Sequence, residues 1–149
     1  MEEHEHYMRI ALNEARMAAE SGEVPVGAVI VYGGEIIAVA GNEREEKKDP
    51  TAHAEIIAIR KAAGKLGIWR LSGCTIYVTI EPCPMCAGAI YQSRIDRLVY
   101  GAPDEKAGAA GTLMDIVRDG RLNHQVAVDA GVLADASASI LKEFFSLRR

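Results

Sequence analysis

The sequence predicts an α/β fold of three layers, an α-β-α sandwich with helices on both faces of a central mixed sheet. Three observations predict it. Apolar runs of strand length alternate along the chain with stretches of helical periodicity. The pair Gly33-Gly34 between two such runs makes a tight hairpin turn, and so an antiparallel pair of strands. Farther on, strand, helix and strand follow one another closely as a βαβ unit, which makes a parallel pair.

The elements read as follows. Over 3–20, Met8, Leu12, Ala15 and Ala19 recur at helical spacing, and Ser21-Gly22 ends that helix. Residues 24–31 are a nearly continuous apolar run, as in a strand buried on both faces. The hairpin partner covers 35–40, and the polar stretch 41–49 reads as a loop. Pro50-Thr51 begins a helix that turns Ile56, Ile57, Ile59 and Ala62 inward and closes near Gly64. Core strands follow at 74–80 and 97–100, with a helix from Pro84 to about Gln92 between them. Proline suits a first helical turn, where its missing N–H costs nothing. A short helix at 113–117, a strand at 125–128 and a helix over 133–147 complete the chain.

With 149 residues, 49% of them hydrophobic and 26% charged, the chain has the size and composition of one globular domain, 1–149. Three cysteines, two of them in one motif, argue against a disulfide framework and for a reducing compartment. No apolar stretch has the length of a membrane span, and the acidic start Glu2-Glu3-His4-Glu5-His6 is unlike a signal peptide. The expected location is the cytoplasm. Net charge is −4, without the global basicity of many nucleic-acid binders. The excess acid lies in residues 1–93, which hold 13 acids and 9 bases, whereas 94–149 hold 8 of each. A local basic patch would suffice for a short RNA loop.

The chemistry is concentrated in two runs, Thr51-Ala52-His53-Ala54-Glu55 and Pro82-Cys83-Pro84-Met85-Cys86. Imidazole and thiolate are good ligands for Zn²⁺, and a catalytic zinc has three protein ligands with a fourth position for water. His53, Cys83 and Cys86 supply three, leaving Glu55 as a proton carrier. Two alternatives compete. Cys-x-x-Cys alone could be a redox dithiol, which explains neither His53 nor Glu55. A closed structural zinc site needs a fourth ligand, for which Cys74 and His124 are the candidates outside the N-terminal tail. Both motifs fall at expected helix starts, where the helix dipole favours thiolates.

On these residues the chain resembles the cytidine deaminase superfamily, whose zinc nucleobase deaminases carry His-x-Glu and Pro-Cys-x-x-Cys. Within it, the chain looks like the bacterial tRNA-specific adenosine deaminases, and the resemblance covers essentially the whole chain. Its carriers include Glu23-Val24-Pro25-Val26-Gly27-Ala28-Val29, the longer runs 49–55 and 81–89, and the loop Ala107-Gly108-Ala109-Ala110-Gly111-Thr112-Leu113-Met114-Asp115. Asn123-His124 and the ending Phe144-Phe145-Ser146-Leu147-Arg148-Arg149 complete them.

The resemblance implies a cytidine deaminase-like fold and a homodimer with one Zn²⁺ per subunit. It further implies action on the wobble adenosine in the anticodon stem-loop of tRNA(Arg), giving inosine. In that reading zinc-generated hydroxide attacks C6 while Glu55 shuttles protons. Asn42 would hydrogen-bond the flipped base, Asp104 and Lys106 would contact the sugar-phosphate backbone, and Phe145, Arg148 and Arg149 would meet the anticodon loop. The runner-up is a deaminase of a free base or nucleoside (guanine, cytosine or cytidine), which has no need of the ending or the 108–115 loop. A third reading, a non-catalytic zinc-stabilised interaction domain, has no use for Glu55.

Overall fold

The computed structural model describes residues 2–148. Helix α1 (Glu2–Glu20) leads into strand β1 (Gly27–Tyr32), and a two-residue turn returns the chain as β2 (Glu35–Gly41). Both turn residues, Gly33 and Gly34, have positive φ (59° and 79°), which a hairpin turn of this length demands and side chains resist. Next come a short helix α2 (Arg44–Lys47), α3 (Ala54–Leu66), β3 (Cys74–Ile80), α4 (Pro84–Gln92) and β4 (Arg97–Ala102). Strand β5 (Ala127–Asp129) and helix α5 (Ala134–Ser146) finish the fold.

The five strands form one sheet in the order β2-β1-β3-β4-β5. β1 runs antiparallel to β2 and β3, whereas β3–β4 and β4–β5 are parallel, so the sheet is mixed as expected. Its alternating side chains serve two cores. Ala28, Ile30, Ile76, Val78, Leu98 and Tyr100 join the layer that holds α3 and α4. Val29, Val31, Tyr77 and Val99 join Met8, Ala11 and Leu12 of α1, with Ile140 of α5 packed against them. These central strands are therefore buried on both faces, which is why they read as continuous apolar runs. No helix among the described residues is long and apolar enough to cross a membrane.

Four local expectations are corrected. The helix expected from Pro50-Thr51 begins at Ala54, because Asp49 Oδ1 accepts the Thr51 N–H (2.8 Å) and hydroxyl (2.7 Å) and closes a turn there. The loop 41–49 contains α2, whose first turn is capped by the buried carboxylate of Glu23, which accepts the N–H groups of Glu45 and Glu46. That capping group lies some twenty residues away in sequence. The helix expected at 113–117 is absent, since the N–H of Leu113 donates to Gly108 O and that of Ile116 to Ala109 O. The last strand starts two residues late, at Ala127. The Gln125 side chain and the Val126 N–H are used instead to tie down the preceding turn.

Candidate active site

Strands β3 and β4 are parallel neighbours, and the segments leaving their carboxyl ends frame a crevice of the kind that binds ligands in open α/β sheets. Glu81-Pro82-Cys83 leaves β3 and enters α4, with Cys83 as the N-cap residue, Pro84 first in the helix and Cys86 two further on. His53 holds the matching N-cap place before α3, and Glu55 sits in its first turn. The orphan N–H of Ala54 at that helix start is satisfied from outside, by Asn42 Oδ1 at 2.8 Å.

His53 Nδ1 lies 3.7 Å from the Cys83 sulfur and 3.5 Å from that of Cys86, and all three donor atoms lie within 4.8 Å of one another. Tetrahedral zinc, about 2.0 Å from nitrogen and about 2.3 Å from sulfur, sets such atoms about 3.5 Å apart. The donor set and its spacing fit Zn²⁺. Neither alternative fourth ligand is near: Cys74 opens β3 at its far end, and His124 bonds Ile95 O at 2.8 Å before β4 begins. Among the described residues, this is the one such group of metal-ligating side chains.

The electrostatics suit the chemistry. A hydrogen bond from the Cys86 thiol, aided by His53 and opposed by burial, brings Cys83 down to about 4. Cys86 is pushed up, first by its bond to Cys83 and then by burial. The bond to Cys83 likewise raises His53. A cation held by His53, Cys83 and Cys86 would keep both sulfurs as thiolates, the ligating form, and displace the proton between them. Glu55 is only 3% exposed, and burial above all lifts its carboxyl to about 7, with the Cys83 charge adding to the rise. A carboxyl poised there can both take and give a proton at neutral pH.

These groups open on a cavity of about 300 Å³. Asn42, His53, Glu55, Cys83, Asp104, Lys106 and Phe145 all line it, so the fold gathers seven of the residues singled out in the sequence. Buried Cys86 completes the metal donors just behind them. Phe145 is half exposed on α5 and offers a flat apolar face. Asp104 Oδ1 accepts the N–H groups of Lys106 (2.9 Å) and Ala107 (3.2 Å), so that carboxylate shapes its own loop. Arg148 lies elsewhere: its guanidinium stacks 3.7 Å over the Phe144 ring and lines a separate groove with Arg16 and Glu20. Arg149 lies outside the described residues.

Two charged lining residues escaped the sequence reading, Arg44 and Glu81. Arg44 begins the unforeseen helix α2, and nothing in its charged neighbourhood distinguishes it. Glu81 left a signal, an acid closing an apolar strand directly before Pro82-Cys83. It is 1% exposed and accepts the N–H groups of Asp104 (3.0 Å), Ala110 (2.9 Å) and Thr112 (3.0 Å) together with the Thr112 hydroxyl. Burial alone would raise its carboxyl; these donors outweigh burial and hold it below the usual range.

The MafB19-like deaminase family model matches residues 2–149. A tRNA-specific adenosine deaminase of Bacillus subtilis (strain 168) is 51% identical over 145 residues, covering 97% of this chain and 90% of that protein. Among solved structures, one from a study of A-to-I editing by tRNA:A34 deaminases at the wobble position superposes with a TM-score of 0.88 at 48% identity. That match covers 91% of this chain and 99% of the other. A guanine deaminase from Nitrosomonas europaea shares the fold with a TM-score of 0.81 at 25% identity, covering 95% of this chain and 84% of that one.

Proposed function

The chain belongs to the tRNA-specific adenosine deaminases within the MafB19-like deaminase family, and we propose that it converts the wobble adenosine of tRNA(Arg) to inosine. The observation that carries this reading is the cavity itself. A His/Cys/Cys group fit to hold a metal and the buried carboxyl of Glu55 lie at the same cavity as Asp104, Lys106 and Phe145, which supports the reading.

An anticodon loop presents unstacked bases at low cost, so the base can enter a closed pocket. Asn42 lines the cavity, and because its Oδ1 is engaged by the Ala54 N–H, its amide nitrogen is the group left to donate to the base. Zinc held by His53, Cys83 and Cys86 supplies the Lewis acidity that makes water a nucleophile at neutral pH. Glu55 accepts a proton from the attacking water and delivers it to the ring nitrogen beside C6, then takes the proton of the new C6 hydroxyl and passes it to the departing amine. Adenosine and water thus become inosine and ammonia. Burial keeps Glu55 apart from bulk water, so the protons it carries stay at the reacting atoms.

Outside the base, Asp104 and Lys106 face the sugar and phosphate, and Phe145 offers a stacking surface. In this reading Arg148 and Arg149 meet the anticodon loop, Arg148 away from this cavity, from the groove it shares with Arg16 and Glu20. The same reading includes one zinc per subunit, a homodimer and a cytoplasmic location. Exposed Ile68, Trp69, Leu113 and Met114 give such a dimer apolar surface to cover.

The fold shared with a guanine deaminase favours a second reading, a deaminase of free bases or nucleosides. One experiment separates the two. The purified protein is incubated with tRNA(Arg) and the product sequenced for A-to-G change, with free adenosine, cytidine and guanine as parallel substrates. Change confined to the wobble position is the expected result. Turnover of a free base or nucleoside with an unedited tRNA would establish the second reading instead.

A further inference from the structure

Glu81 performs no step in the chemistry described, yet it is among the most completely buried charged groups of the fold. Its place is unusual. It directly follows β3, and two residues later comes Cys83, the first of the candidate metal-ligating thiols. Its two oxygens take three backbone N–H groups and one hydroxyl, all from the loop that follows β4. An ionised carboxylate has about four acceptor sites, so these donors use its capacity.

The loop is shaped around this carboxylate. A Cβ built on Gly108 would stand 2.5 Å from Glu81 Cδ and Oε1 and 2.5 Å from Asp104 O. Glycine is the residue that lets the loop close onto the acid. A further bond, from the Ala109 N–H to Pro82 O at 2.9 Å, ties the loop to the same segment. Between these anchors the chain carries Asp104 and Lys106 to the cavity. Apart from one isolated bridge, between Ala110 and Asp115, no sheet or helix holds 103–112 in place.

We propose that Glu81 is a positioning residue for substrate specificity, locking the 104–112 loop to the metal-ligating segment so that Asp104 and Lys106 meet the sugar-phosphate backbone of an RNA strand in a fixed register with the reacting base. This rests on the reading that RNA is the substrate. A loop released from Glu81 leaves the metal donors and Glu55 in place on their helices, while the strand-binding groups lose register. The loss is one of RNA binding more than of chemistry.

The test uses Glu81→Gln and Gly108→Ala in the zinc-loaded, full-length protein. Glu81→Gln keeps the shape of the side chain but turns an amide donor against backbone donors. The methyl group added by Gly108→Ala pushes the loop off the acid from the other side. Both variants should hold wild-type zinc, exchange the amides of 104–112 faster by about tenfold or more, and raise KM for an RNA anticodon stem-loop about tenfold, with a smaller change in kcat. Since both act on one contact, the double variant should be no worse than the poorer single one. Unchanged exchange in 104–112, a fall in kcat at constant KM, or additive losses overturns the role of Glu81. If neither variant folds, Glu81→Asp, whose carboxylate is one methylene shorter, carries the same KM and exchange test. The wild-type protein on the same stem-loop tests the underlying reading: inactivity there overturns RNA as substrate, whereas an active wild type with unaffected variants overturns Glu81 alone.

Discussion

The candidate metal donors and the 104–112 loop border one cavity and are held in opposite ways. His53, Glu55, Cys83 and Cys86 stand at the starts of two helices whose next turns are packed into the core, through Ile57 and Ala58 in α3 and Ala87 and Ile90 in α4. Their positions follow from regular backbone and apolar burial. Asp104 and Lys106 sit on a loop without regular structure, fastened chiefly by hydrogen bonds to one carboxylate. In the proposed reading, chemistry that demands fixed geometry lies on rigid elements, while the surface that would meet a large substrate lies on a loop. The two can therefore be damaged separately.

The largest expected effect comes from the metal end. Cys83→Ala leaves two ligands, and metal analysis should find zinc lost and deamination with it. Cys74→Ala should retain zinc, because Cys74 sits at the far end of β3; equal zinc loss in both would break the three-ligand assignment.

Next is Glu55→Ala, which should keep fold and zinc and lower kcat by at least about 10²–10⁴-fold. Single-turnover deamination of a stem-loop measures it, and a near-normal rate in a zinc-loaded variant would remove Glu55 from proton transfer.

Smaller effects belong to the loop. Asp104→Asn should lower the preference for an RNA hairpin over its DNA counterpart by several-fold, on the order of one lost hydrogen bond to a 2′-hydroxyl. Matched hairpins assayed with both proteins decide the matter. Equal RNA-to-DNA ratios would detach Asp104 from the sugar.

The smallest is a pH effect on stability. The folded-state carboxyl of Glu81 lies below its ordinary value of 4.5, so the ionised form favours the fold. That contribution is complete above the unfolded value and lost as pH falls through the lower folded value. Urea midpoints of wild type and Glu81→Gln should differ more at about pH 7 than at about pH 3.5. A gap that widens in acid would contradict this.

What the sequence determined by itself was most of what depends on local pattern, the turn of Asp49 and Thr51 before α3 excepted. Continuous apolar runs and helical periodicity placed the core strands and long helices, and Gly33-Gly34 marked the hairpin, because burial and turn geometry act within a few residues. Residue type and spacing singled out His53, Cys83 and Cys86 as candidate zinc donors with Glu55 beside them, since thiols three residues apart at a helix start share one face. The resemblance then supplied Asn42, Asp104, Lys106 and Phe145, which spacing alone does not single out. Tertiary structure decided the rest. The cap on α2 comes from Glu23, the partner of the α3 start is Asn42, and the anchor of the 104–112 loop is Glu81, each far along the chain from what it holds. A buried polar group takes whichever donors the fold brings to it. That is also why 113–117 is a tied loop rather than a helix: the N–H groups of Leu113 and Ile116 go to Gly108 O and Ala109 O, in a loop that Glu81 holds from far along the chain.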